Sequence, residues 1–306
     1  MSESKETVAV VGAGVIGRSW AFVFSRAGRP TRLYDPDRDQ REKALDWLKE
    51  MGVLSGSISA HDDLAEALEG VAYVQESGPE KLAAKRAIFA ALDRLAPGDA
   101  ILASSTSALD MSAIAEGLPG AGRAIVAHPV NPPHVIPVVE VLAGKSTTAD
   151  VVARTRAFLT AVGQRPVLLN FYVPGFLLNR MQAALVREAI HLVESGVADV
   201  DAVDAVIRDG LGLRWALMGP FGVADTNADG GIREYYGRYG GSYAELMGDL
   251  GGTPAFDGEL IEKLGQATDA MMKAPRSEIL EWRDRLIRRI RELKEKDPMP
   301  QGGSHE

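Results

Sequence analysis

Apolar residues in the first half of the chain come in short runs separated by helix-length amphipathic stretches, and this alternation predicts strands crossed over by helices. A β-rich run at 7–11 leads through Gly12-Ala-Gly14-Val-Ile-Gly17 into an amphipathic stretch at 18–26. A second strand at 31–34 ends on Asp35, and a helix at 38–51 is followed by the polar connection SGSISAHDD. Further strands are expected at 72–75, 100–103 and 124–127, with a helix at 81–95 between the first two, and strands at 138–142 and 166–169 flank a helix at 149–162. Beyond Tyr172 the strand signals stop. Pro174 stands where a helix can begin, residues 176–194 carry a helical apolar pattern, and Asp199 and Asp201 are placed to cap the next helix. Glycine-rich turns at 210–212, 230–231 and 251–252 break up the rest, and the tail from 297 onward is expected to fray.

The pattern therefore predicts an α/β protein: an N-terminal Rossmann domain with a doubly wound parallel sheet over residues 1–175, and a smaller all-helical C-terminal domain over 176–306. A length of 306 residues suits two domains, since a single core stops growing usefully at roughly 250 to 300 residues. A net charge of -8 argues against nucleic acid as a partner. The basic residues Arg283, Arg285, Arg288, Arg289 and Arg291 alternate with acids and read as a solvated helix face. The absence of cysteine removes disulfides, thiolate catalysis and cysteine-based zinc sites, and no metal site is expected. The start MSESKET resembles no export signal, and no stretch approaches the ~18 apolar residues of a membrane span, so the expectation is a cytoplasmic protein with no membrane partner.

The glycine motif is informative because of its context. Gly12 permits a tight turn, Gly14 lets the backbone approach a pyrophosphate, and Gly17 lets the helix pack closely on the strand. The helix start offers free N–H groups and a positive dipole end to phosphate. Asp35, at the end of the second strand, stands where a carboxylate accepts hydrogen bonds from the adenosine ribose and repels a 2′-phosphate, which selects NAD over NADP. Arg38 and Arg41, just beyond it, read as surface residues.

Of five histidines, His61 lies in a polar stretch, His191 in an apolar helix pattern and His305 in the tail. His128 instead closes the strand at 124–127, at the carboxyl edge of the sheet where ligands of open α/β folds bind. It begins the run HPVNPPHVIPVVE, whose prolines stiffen the loop and whose Glu140 returns inside an apolar strand. A carboxylate there needs a partner, and histidine is the natural one. An imidazole oriented by a carboxylate is suited to take the proton of a secondary alcohol as hydride leaves. His134, in the same loop, is a weaker candidate for substrate contact.

The run Ala103-Ser-Ser-Thr-Ser107, the HPVNPPHVIPVVE segment and Val173-Pro-Gly-Phe-Leu-Leu-Asn179-Arg180 together resemble the 3-hydroxyacyl-CoA dehydrogenase superfamily. HPVNPP, the segment GLGLRWALMGP ending at Pro220, and NADGGI ending at Ile232 are most similar to its L-gulonate 3-dehydrogenase branch. The resemblance implies His128 as base with Glu140 as its partner, and Ser107 and Asn179 as hydrogen-bonding groups at the reacting oxygen and the histidine. It also implies NAD contacts from Val15, Ile16, Asp35, Glu80 and Lys85. Oxidation of a 3-hydroxy acid, L-gulonate, by a homodimer is the expected function. L-Carnitine and 3-hydroxyacyl-CoA are the alternative substrates, and a non-enzymatic, NAD-binding structural protein of the crystallin type is the alternative of another class. Ser105 stands where many hydroxyacyl-CoA enzymes have Asn, and the stretch from Asp35 to Val71 is much shorter than theirs, in which a helical hairpin helps hold coenzyme A. The substrate surroundings are expected from the helical domain, with Arg214 and Arg233 as candidates for a carboxylate, and Phe221, Tyr235, Tyr236 and Tyr239 as candidate lining.

Overall fold

The computed structural model describes residues 6–54 and 56–298, so the expectations placed on His305 and on the tail beyond 298 lie outside the described residues. The chain divides between Arg180 and Met181 into two compact units.

In the first unit the elements are β1 (Val8–Val11), α1 (Val15–Arg26), β2 (Thr31–Tyr34), α2 (Arg38–Glu50), β3 (Ile58–His61), α3 (Leu64–Leu68), β4 (Tyr73–Glu76), α4 (Leu82–Leu95), β5 (Ile101–Ser104), α5 (Met111–Ile114), β6 (Ala124–Pro129), β7 (Val138–Ala143), α6 (Ala149–Ala161) and β8 (Arg165–Leu169). They build one eight-stranded sheet in the order β3-β2-β1-β4-β5-β6-β7-β8. The first six strands are parallel, as the doubly wound Rossmann order requires; β7 runs antiparallel to β6, and β8 is parallel to β7.

Both faces of the sheet are covered, which explains why its central strands are apolar without alternation. Successive β1 residues feed two cores. Val8 and Val10 pack with Trp20, Phe24, Ile125 and Phe158 on one side, while Ala9 and Val11 pack with Phe89, Leu92, Leu102 and Met111 on the other. On the first side the rings interlock, with Trp20 stacked on Phe24 at 5.3 Å and Tyr73 on Phe158 at 4.0 Å between centroids.

Within the polar connection expected after α2, the structure places β3 on β2, running through Ile58–His61. None of its four residues is buried. An edge strand with one neighbour can be polar, which hides it from a hydrophobic pattern. His61 accordingly sits on a strand, its Nε2 2.8 Å from Ser59 Oγ. His128 also lies inside β6 rather than just past its end, because β6 continues to Pro129.

The helix expected from 176 starts two residues later as α7 (Leu178–Glu194), which runs into the second unit. There follow α8 (Val200–Ala205), capped by Asp199 and not by Asp201, a π-helical stretch Val206–Leu211, and α9 (Gly212–Trp215). The glycines at 210–212 are therefore helical rather than a turn. The remaining helices are α10 (Pro220–Asp225), α11 (Gly231–Asp249), α12 (Gly258–Met271) and α13 (Arg276–Lys296). The rings of Tyr235, Tyr236, Tyr239 and Tyr243 cluster along α11. His191 of α7 packs against Gly251, where an added Cβ would collide with its side chain.

Candidate active site

The turn from β1 to α1 shows why three glycines are spaced as they are. Gly12 has φ +105°, and a Cβ there would lie 2.7 Å from the Ser77 carbonyl oxygen. At Gly17 a Cβ would run into the Gly12 carbonyl, so the helix can cross the strand this closely only with glycine. Gly14, the N-cap of α1, has open space in front of it and supplies no side-chain cap to the first-turn amides. The helix start is thus an uncapped, approachable anion site, which fits the pyrophosphate of a dinucleotide. Val15 is more than half exposed beside it, and Ile16 packs against the core.

Asp35 follows β2 directly. Its Oδ2 accepts from the Ala13 amide at 2.8 Å and its Oδ1 from the Asp37 amide at 2.9 Å, so it braces the glycine turn. Arg38 is exposed and paired with Glu42, as expected of a surface residue. Arg41 is not a surface residue: its guanidinium is largely covered and donates to the Asp35 carbonyl at 2.6 Å.

His128 on β6 and Glu140 on β7 are directly opposite in the antiparallel register, which puts both side chains on one face. Both are buried, and His128 Nδ1 lies 2.8 Å from Glu140 Oε2. The other oxygen, Oε1, accepts from the Leu177 and Leu178 amides at 2.8 and 2.9 Å, at the start of α7. Burial pushes the Glu140 carboxyl up, but the bonds from His128 and from these two amides outweigh it and hold the group below the usual carboxylate range. Nε2 of His128 has no partner among the described residues.

The turn that delivers those amides was invisible in the apolar pattern. Gly175 has φ +78° and Phe176 φ +51°, left-handed for both. For a bulky residue that conformation is costly and persists only where packing imposes it. Phe176 is fully buried with its ring edge-on to His128 at 5.5 Å. The signal available in the sequence was Pro174-Gly175, a turn pair immediately before the helix.

Ser107 and Asn179 meet: the Asn179 amide donates to the Ser107 carbonyl at 3.4 Å. Glu80 reaches the same loop, accepting from Thr106 Oγ1 at 2.6 Å and from the Ser107 amide at 2.8 Å, with the Ser107 hydroxyl at 3.3 Å. Burial opposes its ionisation, yet the Thr106 hydroxyl, the Ser107 amide and nearby Lys85 hold Glu80 below the usual range. Lys85, expected as a cofactor contact, is buried; its ammonium lies 2.9 Å from both oxygens of Glu76 and 3.4 Å from Glu80. Ser105 accepts from the buried Gln75 amide at 2.7 Å and pairs with Ser77 Oγ at 2.9 Å. His134 is a packing residue, set between the rings of Phe22 and Trp47 with Nδ1 3.2 Å from Ser19 Oγ.

Residues 7–171 match the NAD-binding domain of 3-hydroxyacyl-CoA dehydrogenase, and residues 175–274 match the C-terminal domain of the same family. The chain belongs to the 3-hydroxyacyl-CoA dehydrogenase family. As a member of it, the protein is an NAD-dependent oxidoreductase. This family member is 39% identical to a lambda-crystallin of Oryctolagus cuniculus over 94% of this chain and 96% of that one. It is 37% identical to an L-carnitine dehydrogenase of Streptomyces coelicolor, over 87% of each chain. Among solved structures it is similar to an NAD+-dependent dismutase, 5-formyl-3-hydroxy-2-methylpyridine 4-carboxylic acid 5-dehydrogenase, with a TM-score of 0.82 and 28% identity over 95% of this chain and 99% of that one.

Proposed function

We propose that this dehydrogenase oxidises the 3-hydroxyl of a free hydroxy acid, L-gulonate, and that His128 is the base. The observation that carries the chemical role is the bond from His128 Nδ1 to an ionised Glu140, which leaves Nε2 as the open nitrogen. Bound NAD supplies the hydride acceptor. The chain's part is to remove the hydroxyl proton at Nε2, and a negatively charged Glu140 favours the imidazolium that results. Glu140 can stay charged while buried because three donors satisfy it. Ser107, with Asn179 on its carbonyl, is positioned to hold the reacting oxygen, and Gly12, Gly14, Gly17, Val15, Ile16 and Asp35 form the cofactor cradle.

A free acid is favoured over a thioester by the connection from β2 to β4. Among the described residues it holds α2, the edge strand β3 and the five-residue α3, with no helical hairpin to carry a coenzyme A handle. Without such a surface, the remote binding energy that positions a thioester is lost. The similar L-carnitine dehydrogenase supports a free hydroxy acid as the substrate class, and the HPVNPP and NADGGI segments support L-gulonate within it.

The test is NADH formation from L-gulonate by the native enzyme and by His128→Gln. Expected is turnover by the native protein and a loss of ~10²- to 10⁴-fold in kcat for the variant with NAD affinity retained. Less than tenfold loss would remove His128 from the role.

A further inference from the structure

Glu76, which no motif singled out, ends β4 in full burial, where a carboxylate is costly unless every oxygen is satisfied. It is satisfied four times. Oε1 accepts from the Gly78 amide at 2.6 Å and from Lys85 at 2.9 Å, and Oε2 from Lys85 at 2.9 Å and the Ser104 hydroxyl at 2.6 Å. Lys85 in turn lies 3.4 Å from the Gly78 carbonyl and 3.4 Å from Glu80 Oε2. Glu80 then holds the Thr106 hydroxyl and the Ser107 amide.

The ammonium is thus enclosed by protein acceptors, with about 1% of its side chain exposed. From this geometry we infer that Glu76 is a positioning residue for the reaction: through Lys85 it fixes Glu80, and through Glu80 it sets the loop that carries Ser107. The inference rests on Ser107 as the group that holds the reacting oxygen. Two strand ends, β4 with Glu76 and β5 with Ser104, share one carboxylate, so the turn after β4 and the serine loop after β5 are registered against each other. A displacement of about 1 Å at such a loop can cost ~10²-fold in rate.

The experiment compares Glu76→Gln with the double variant Glu76→Gln/Lys85→Met in thermal unfolding, in NAD affinity by fluorescence, and in kcat and KM. Glu76→Gln leaves a buried ammonium short of an anion and is expected to lower Tm. Replacing both members of a buried pair by neutral groups often restores stability, so the double variant is expected to regain Tm. Its kcat is nevertheless expected to stay ~10- to 100-fold low with KM little changed, because Glu80 has lost its support. A double variant that regains both Tm and kcat at saturating NAD would make the pair merely structural and overturn the inference. Should the double variant not fold, Ser104→Ala, which removes one donor from Glu76, is read in the same way: a lowered kcat at unchanged NAD affinity is expected, and an unchanged kcat overturns the proposal. Ser107→Ala, measured alongside, separates the two levels. If it leaves kcat intact, the reading of Ser107 fails; if it lowers kcat while the Glu76 variants do not, only the positioning role fails.

Discussion

At the scale of single residues, the pair His128–Glu140 is where sequence and structure agree most closely. A glutamate inside an apolar strand signals a partner by its cost alone, and a histidine twelve positions earlier meets it across two adjacent strands. Lys85 carries a signal of the same kind. It shares the buried face of α4 with Phe89 and Leu92, at helical spacings of four and three, so its burial was written in the pattern. Its partner Glu76 lies on a different element nine residues earlier, and only the fold brings them together. The Glu140 carboxyl, held below its usual range, gives a signed expectation for pH. Its folded-state value lies below its unfolded one, so it contributes stability that is fully present above the ordinary carboxylate range and is lost as pH falls through the folded value. Acid unfolding of Glu140→Gln is therefore expected to be flatter below about pH 5 than that of the native protein, from a lower starting stability. Equal slopes in the two titrations would show that Glu140 is not held ionised by the fold. In the pH profile of kcat/KM, the same variant should move the acidic limb downward, since the negative charge that favours imidazolium is gone.

Elements buried on both faces announce themselves and elements at edges do not. β1, VAVV, lies in the middle of the sheet with all four residues buried, and its apolar run is unmistakable. β3, ISAH, has one neighbour and no buried residue, and it passes for a polar connection. The start of α7 was legible to within two residues, but not the left-handed pair Gly175–Phe176 before it, because backbone conformation leaves only the faint Pro-Gly trace. That pair aims two amides at Glu140, and it carries a specific expectation. Gly175→Ala puts a Cβ on a backbone at φ +78°, which costs roughly 1 kcal/mol or more. It should also lower kcat by disturbing the Leu177 and Leu178 bonds to Glu140. Unaltered Tm and kcat would show that this turn tolerates other conformations and does not set the carboxylate.

For the whole molecule, the alternation of strands and helices was enough to read the Rossmann class, and the loss of strand signals after Tyr172 was enough to read a helical remainder. Self-association is expected from the sequence on the apolar faces at 176–193 and 203–213 of the helical remainder. In the second unit α11 and α13 have no buried residue, while Leu246, Met247, Trp282, Ile290 and Leu293 on them are exposed. Such exposed large apolar side chains suit an interface between copies, and a homodimer is the expectation. Sedimentation at micromolar concentration should give twice the chain mass; a monomer would contradict it. Among the described residues no helix is long and apolar enough to cross a membrane.

The central claim, that a free hydroxy acid is the substrate, is tested most directly by competition. L-Gulonate and 3-hydroxybutyryl-CoA are offered together with NAD at one pH, and the two products are quantified against time. The short connection from β2 to β4 leads to the expectation that kcat/KM is higher for L-gulonate. A clear preference for the thioester would contradict the claim and return this chain to the coenzyme A side of its family.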